Sequence, residues 1–122
     1  MKKYKLFFLC LLSVLVFTAF GSGTAFARWK SYSFHNHSGR IIKYLYITSS
    51  GSGDWGGDLL GSEVLGSGDS VSLRYNDDVR FFDVKVVFSD GSDVTFWKAD
   101  YKNVWRKTIF HRGGTTYTLS SN

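Results

Sequence analysis

Three histidines are the chain's whole stock of imidazoles, and two of them, His35 and His37, stand two residues apart. On an extended strand that spacing puts both rings on one face. Neutral imidazole nitrogens so placed can ligate a transition metal, with His111 as a third donor. Against this, Asn36-His37-Ser38-Gly39 reads as a turn, which takes His37 off the shared face. A small metal-dependent enzyme built on these histidines is therefore kept as a second alternative.

Carboxylates gather in the stretch from Ser50 to Ser70, SGSGDWGGDLLGSEVLGSGDS, where Asp54, Asp58 and Glu63 stand among seven glycines. Calcium takes six to eight oxygens at roughly 2.3–2.6 Å, and these side chains together with backbone carbonyls could supply them. The spacing is not that of an EF-hand loop. A calcium-stabilised β-domain is the first alternative, with Ca2+ as the one cofactor to consider. Asp77-Asp78 and the Asp90/Asp93 pair read as solvated turns.

Covalent chemistry lacks its usual parts. The single cysteine, Cys10, lies in the N-terminal apolar run, and neither a Gly-x-Ser-x-Gly elbow nor a His-Glu-x-x-His helix occurs. The expectation is that the protein is not an enzyme and has no catalytic residues. Aromatic side chains offer more. Tyr44, Tyr46, Trp97 and Trp105 all fall at positions that alternation can turn outward, where they would form a surface for a protein or glycan partner.

The elements that would carry these residues begin after a leader. Lys2, Lys3 and Lys5 precede an apolar run from Leu6 to Phe20, followed by small residues ending Ala25-Phe26-Ala27. This is the pattern of a secretory signal peptide, residues 1–27, cut between Ala27 and Arg28. It predicts a secreted or periplasmic protein with no membrane span in its mature form. Removing the leader takes three lysines from the fifteen basic residues and leaves twelve against ten acidic ones. A net charge of +2, with the basic residues scattered, argues against a nucleic-acid partner. Oligomeric state is not written in the sequence.

Residues 28–122 then form one domain that must fold in an oxidising compartment without a disulfide. The leader takes Tyr4, Phe7, Phe8, Phe17, Phe20 and Phe26 from the four Trp, seven Tyr and eleven Phe, and the sixteen aromatics that remain supply the burial. Period-two alternation dominates. Val71, Leu73 and Tyr75 oppose Ser70, Ser72 and Arg74; Phe82, Val84, Val86 and Phe88 oppose Phe81, Asp83, Lys85 and Val87. Further strands are expected over Tyr32–Asn36, Ile41–Thr48, Val94–Lys98, Val104–His111 and Thr115–Leu119, with turns at Asp90-Gly91 and Gly113-Gly114. In Ile41–Thr48, Ile42, Tyr44 and Tyr46 share one face and Ile41, Leu45 and Ile47 the other. The sum is a small antiparallel β-sandwich of about seven strands.

The glycine-rich stretch joins two strands and must cross from one edge or sheet to the next. Trp55, Leu59, Leu60, Val64 and Leu65 are its apolar anchors, suited to plugging the end of the core. Asp58 is placed to cap a single helical turn through Leu59 and Leu60. Asn36-x-Ser38-Gly39, Ile42-x-x-Leu45-Tyr46-Ile47-Thr48-Ser49, Asp54-Trp55-Gly56-x-Asp58-x-Leu60-Gly61, Leu65-x-x-Gly68-x-Ser70-Val71 and Asp83-x-Lys85-Val86-x-Phe88-x-Asp90-Gly91 together resemble an uncharacterised family of small exported bacterial proteins and domains. The resemblance spans about residues 33–110, and Trp-Gly-x-Asp-x-Leu-Gly is its most specific block. It implies export and a compact all-β fold, and it implies no activity. Members often carry paired cysteines in their second half, where this chain has none. The combined expectation is an exported, non-enzymatic binding or scaffolding module of the bacterial envelope or extracellular space.

Overall fold

The computed structural model describes residues 28–122. The leader expected over residues 1–27, with Cys10, lies outside the described residues. Seven strands follow one another: β1 (Trp29–His37), β2 (Ile42–Ser49), β3 (Ser70–Asn76), β4 (Phe81–Phe88), β5 (Asp93–Asp100), β6 (Arg106–Gly113) and β7 (Thr116–Ser121). They pack as a four-stranded sheet, β3-β1-β6-β7, against a three-stranded sheet, β2-β4-β5. This is the small β-sandwich that the alternation predicts, and no helix occurs among the described residues.

One pairing departs from an all-antiparallel arrangement, because β1 and β6 run parallel, with His37 beside Phe110 in register. Parallel neighbours need a crossover. The chain supplies it by leaving β1 for the opposite sheet at Gly39, φ 78°, coming back once to lay β3 along the other side of β1, and adding β6 only after β4 and β5 in the opposite sheet. The Asn36–Gly39 segment is thus a crossing between layers. His37 lies inside β1, not in the turn, since β6 holds the strand extended to that point.

The core lies between the sheets. Tyr32 and Phe34 of β1, Leu45 of β2, Phe82, Val84, Val86 and Phe88 of β4, and Ile109 of β6 all point inward and are buried. Each such side chain contributes about 1.5–3 kcal/mol by leaving water. Three tyrosines tie strands together where no disulfide is present. Tyr32 and Tyr101 share a 3.0 Å hydroxyl contact, while the Tyr75 hydroxyl both donates to the Val104 carbonyl and accepts from its N–H. Their rings meet edge to face at 5.2–5.6 Å, a favoured arrangement of ring quadrupoles. Burial raises the hydroxyl pKa of both Tyr32 and Tyr101.

β2 departs from strict alternation. A bulge between Ile42 and Tyr44 shifts its register against β4, so Ile42 and Leu45, three apart, both face the core, and both are fully buried. An extra residue at a bulge reverses the sides that follow it. Ile42 therefore belongs with Leu45, and the two tyrosines face outward together with ring centroids 6.4 Å apart.

Candidate binding face

The outer face of the three-stranded sheet is assembled by register. Tyr46 pairs with Lys85, which pairs on its other side with Thr95; Tyr44 pairs with Val87, which pairs with Asp93. All of these oppose the inward residues Val84 and Val86. β5 is bulged opposite Phe82–Val84, with Lys98 at φ 54°. The bulge leaves Trp97 68% exposed.

Trp55 comes to this face from the glycine-rich stretch. Its ring lies 5.9 Å from that of Trp97 at 43°, and Lys85 Nζ lies 6.0 Å from its centroid, the limit of a cation–π contact. Trp55 therefore sits on the outside of the sheet beside Trp97. Of the other anchors, Leu60 and Leu65 enter the core, while Leu59 and Val64 stay exposed. Tyr44, Tyr46, Trp55 and Trp97 thus occupy one face with Lys85 among them. Trp105 does not join them. It immediately precedes β6 in the opposite layer, where it is 66% exposed and lines an open recess of about 420 Å³ with Lys30, Ser31, Asn103 and Val104.

The rest of the stretch protects the edge of β2. Asp58 Oδ1 accepts hydrogen bonds from Leu45 N–H, 2.9 Å, and Leu60 N–H, 3.0 Å, and Leu59 N–H donates to the Leu45 carbonyl at 2.8 Å. Ile42 and Leu65 exchange two backbone bonds of 2.9 Å. A bare edge strand is a template for pairing with another chain, and this segment occupies it. Asp58 caps no helical turn; its second partner is the edge strand itself. Asp54 Oδ1 accepts from Gly56 N–H at 3.0 Å, and Glu63 is exposed. Among the described residues no three His, Cys, Asp or Glu side chains are grouped to hold a metal ion.

His35 and His37 do share the outer face of the four-stranded sheet, their ring centroids 6.4 Å apart. His111 does not meet them, for its Nε2 is 2.9 Å from the Gly114 carbonyl and its ring packs on Tyr117. In register His111 pairs with Tyr117, one residue beyond Phe110, the neighbour of His37. Successive residues point to opposite faces.

Two buried polar side chains set the local electrostatics. Asp83, beneath the aromatic face, accepts from Ser50 Oγ at 2.8 Å and Lys98 N–H at 2.9 Å. The Lys98 amide is the main cause of its lowered pKa. Lys107 is 3% exposed; its Nζ donates to the Asp100 carbonyl and to Ser121 Oγ and lies 4.7 Å from the Tyr101 ring centroid. Desolvation lowers its pKa. Sequence reasoning missed Lys85 as a member of the face, because nothing in a single strand reveals which residue stands beside Tyr46. A scan against protein-family models finds no match, and searches of curated proteins and of solved structures find none either.

Proposed function

We propose that the protein is an exported, non-enzymatic binding module of the bacterial envelope or extracellular space, and that the outer face of β2-β4-β5 is its binding surface. The observation that carries this reading is the placing of Trp97, largely exposed, against Trp55 on the sheet face that also carries Tyr44 and Tyr46. Exposed aromatics gathered on one face cost solubility unless a partner covers them. Tyr and Trp are also the residues that dominate interface energetics. A protein or a glycan would suit such a surface. The reading is tested by co-sedimenting the labelled secreted protein with envelopes of the producing bacterium. Trp97→Ala is expected to weaken saturable binding by about tenfold or more, in the range of an interface hot spot, while Trp105→Ala is expected to leave it within about twofold. Equal binding by the two variants would overturn it.

A further inference from the structure

Resting on that reading, we propose that the ligand of the aromatic face is an anionic polysaccharide, a chain of pyranose rings bearing carboxylates, with Lys85 as the residue that reads the charge. Lys85 stands at the centre of the face, beside Tyr46 and Thr95 and beneath Trp55. Lys43, at the β2 bulge, lies 5.4 Å from the Tyr44 ring centroid, and Lys98 follows Trp97. Ion pairs among the described residues are made by Arg28, Lys30, Arg40 and Arg80. Lys43, Lys85 and Lys98 have no carboxylate within that reach. The acid nearest the middle, Asp83, is buried and held by the Ser50 hydroxyl and the Lys98 amide, with the Lys98 charge adding to its hold. That leaves as exposed acids of the β4–β5 register Asp93 and, at the far end, Asp100, itself paired with Arg80.

Rings and unpaired ammonium groups together favour one chemistry. The C–H face of a pyranose carries partial positive charge and settles on the negative face of an aromatic ring, and a carboxylate at the sugar's rim then meets a lysine. Tyr46 on β2 and Trp97 on β5 are two strand spacings apart across the sheet and two residues apart along it, roughly 12 Å, within the reach of two to three sugar rings. Single-stranded nucleic acid also combines stacking with basic groups, but it is held in grooves that follow many phosphates. Here the basic groups are few: Lys43, Lys85 and Lys98, with Arg80 over Phe81 at the end of the sheet already held by Asp100.

The test is calorimetric titration of the secreted protein with polygalacturonate, with its fully methyl-esterified form, and with an oligothymidylate at the same salt. Esterification removes the charge and keeps the rings. Polygalacturonate is expected to bind, with affinity falling as salt rises, and the ester to bind about tenfold more weakly. Lys85→Gln should lose about tenfold toward the acid polymer and little toward the ester. Trp97→Phe, with an unchanged melting temperature as control, should weaken both. Equal binding of acid and ester, an unaltered Lys85→Gln, tighter binding of the oligonucleotide, or no binding of either polymer would each overturn the inference. The binding-face reading falls separately, by equal envelope binding of the Trp97 and Trp105 variants.

Discussion

Asn36 and Leu65 are 29 residues apart, and the Asn36 Nδ2 donates to the Leu65 carbonyl at 2.9 Å. The same amide nitrogen donates to the Arg40 carbonyl, and its Oδ1 accepts from both the N–H and the hydroxyl of Ser38. A fully buried side chain thus fastens the crossing out of β1 to the far end of the glycine-rich stretch. The main chain adds two bonds, from Asn36 N–H to the Asp69 carbonyl and from Gly68 N–H to the Asn36 carbonyl.

Replacing Asn36 by Ala removes four hydrogen bonds and leaves the buried Ser38 N–H without its acceptor, while the Leu65 carbonyl keeps the Ile42 N–H and the Arg40 carbonyl keeps the Ser38 hydroxyl. The expected loss is about 2–3 kcal/mol, the cost of losing these bonds and leaving a buried group unpaired. In a domain this small that is a fall of roughly 10 °C or more in melting temperature. Asn36→Asp should be as harmful, since a carboxylate cannot donate to the two carbonyls. Urea denaturation of both variants checks this; a loss below 0.5 kcal/mol, roughly the scatter of neutral surface changes, would be contrary.

Asp58 predicts a local effect rather than a global one. Asp58→Ala should raise the exchange rate of the Leu45 amide in hydrogen-exchange spectra and cost about 1–2 kcal/mol. Asp58→Asn keeps an accepting oxygen and should stay close to wild type. Because Asp54 and Asp58 each already hold backbone N–H groups, adding a chelator should not move the melting curve. A fall on chelation would instead favour the calcium-stabilised domain, since a ligand bound only to the folded form raises its melting temperature.

Gly68 has φ 93°, a conformation open to glycine and strained for other residues. Gly68→Ala is expected to destabilise by about 1–2 kcal/mol. A Cβ at Gly66 would meet Asp69 Oδ2 at 2.9 Å, and that carboxylate is the end of an exposed side chain that can turn away. Gly66→Ala should therefore cost less than Gly68→Ala, and thermal melts of the pair rank them.

Acid should unfold the protein through three aspartates. Hydrogen bonds from Lys98 N–H to Asp83 and from the Ser92 hydroxyl to Asp90 lower their pKa values, and the Arg80 guanidinium lowers that of Asp100 to about 2. Each carboxyl binds a proton more readily in the unfolded chain, whose aspartates titrate near about 3.9. Their stabilisation is thus complete above that value and lost as pH falls through the lowered folded-state values. Asp100→Asn should flatten the stability profile between about pH 4 and pH 2. Because the Arg80–Asp100 pair is exposed, 1 M salt should flatten it too.

Much of the fold is legible in the sequence because alternation and turn chemistry are local signals. Val71, Leu73 and Tyr75 against Ser70, Ser72 and Arg74 fix the sides of β3, and Gly91 and Gly114 take the left-handed conformations that their turns need. What the sequence conceals is non-local. The bulges in β2 and β5 that turn Ile42 inward and Trp97 outward depend on pairing with β4. The parallel β1–β6 contact depends on which layer the chain enters at Gly39. Trp55 looks like a core anchor until the path of its loop sets it on the outside of the sheet, and Trp105 looks like a companion of Trp97 until β6 takes its place in the other layer.

Hydroxyl-radical footprinting of the protein bound to envelopes reads residue by residue which surface it uses. Protection is predicted at Tyr44, Tyr46, Trp55 and Trp97, with Trp105 oxidised as fast as in free solution. Protection centred on Trp105 or on the His35–His37 face, with Trp97 unprotected, would contradict it.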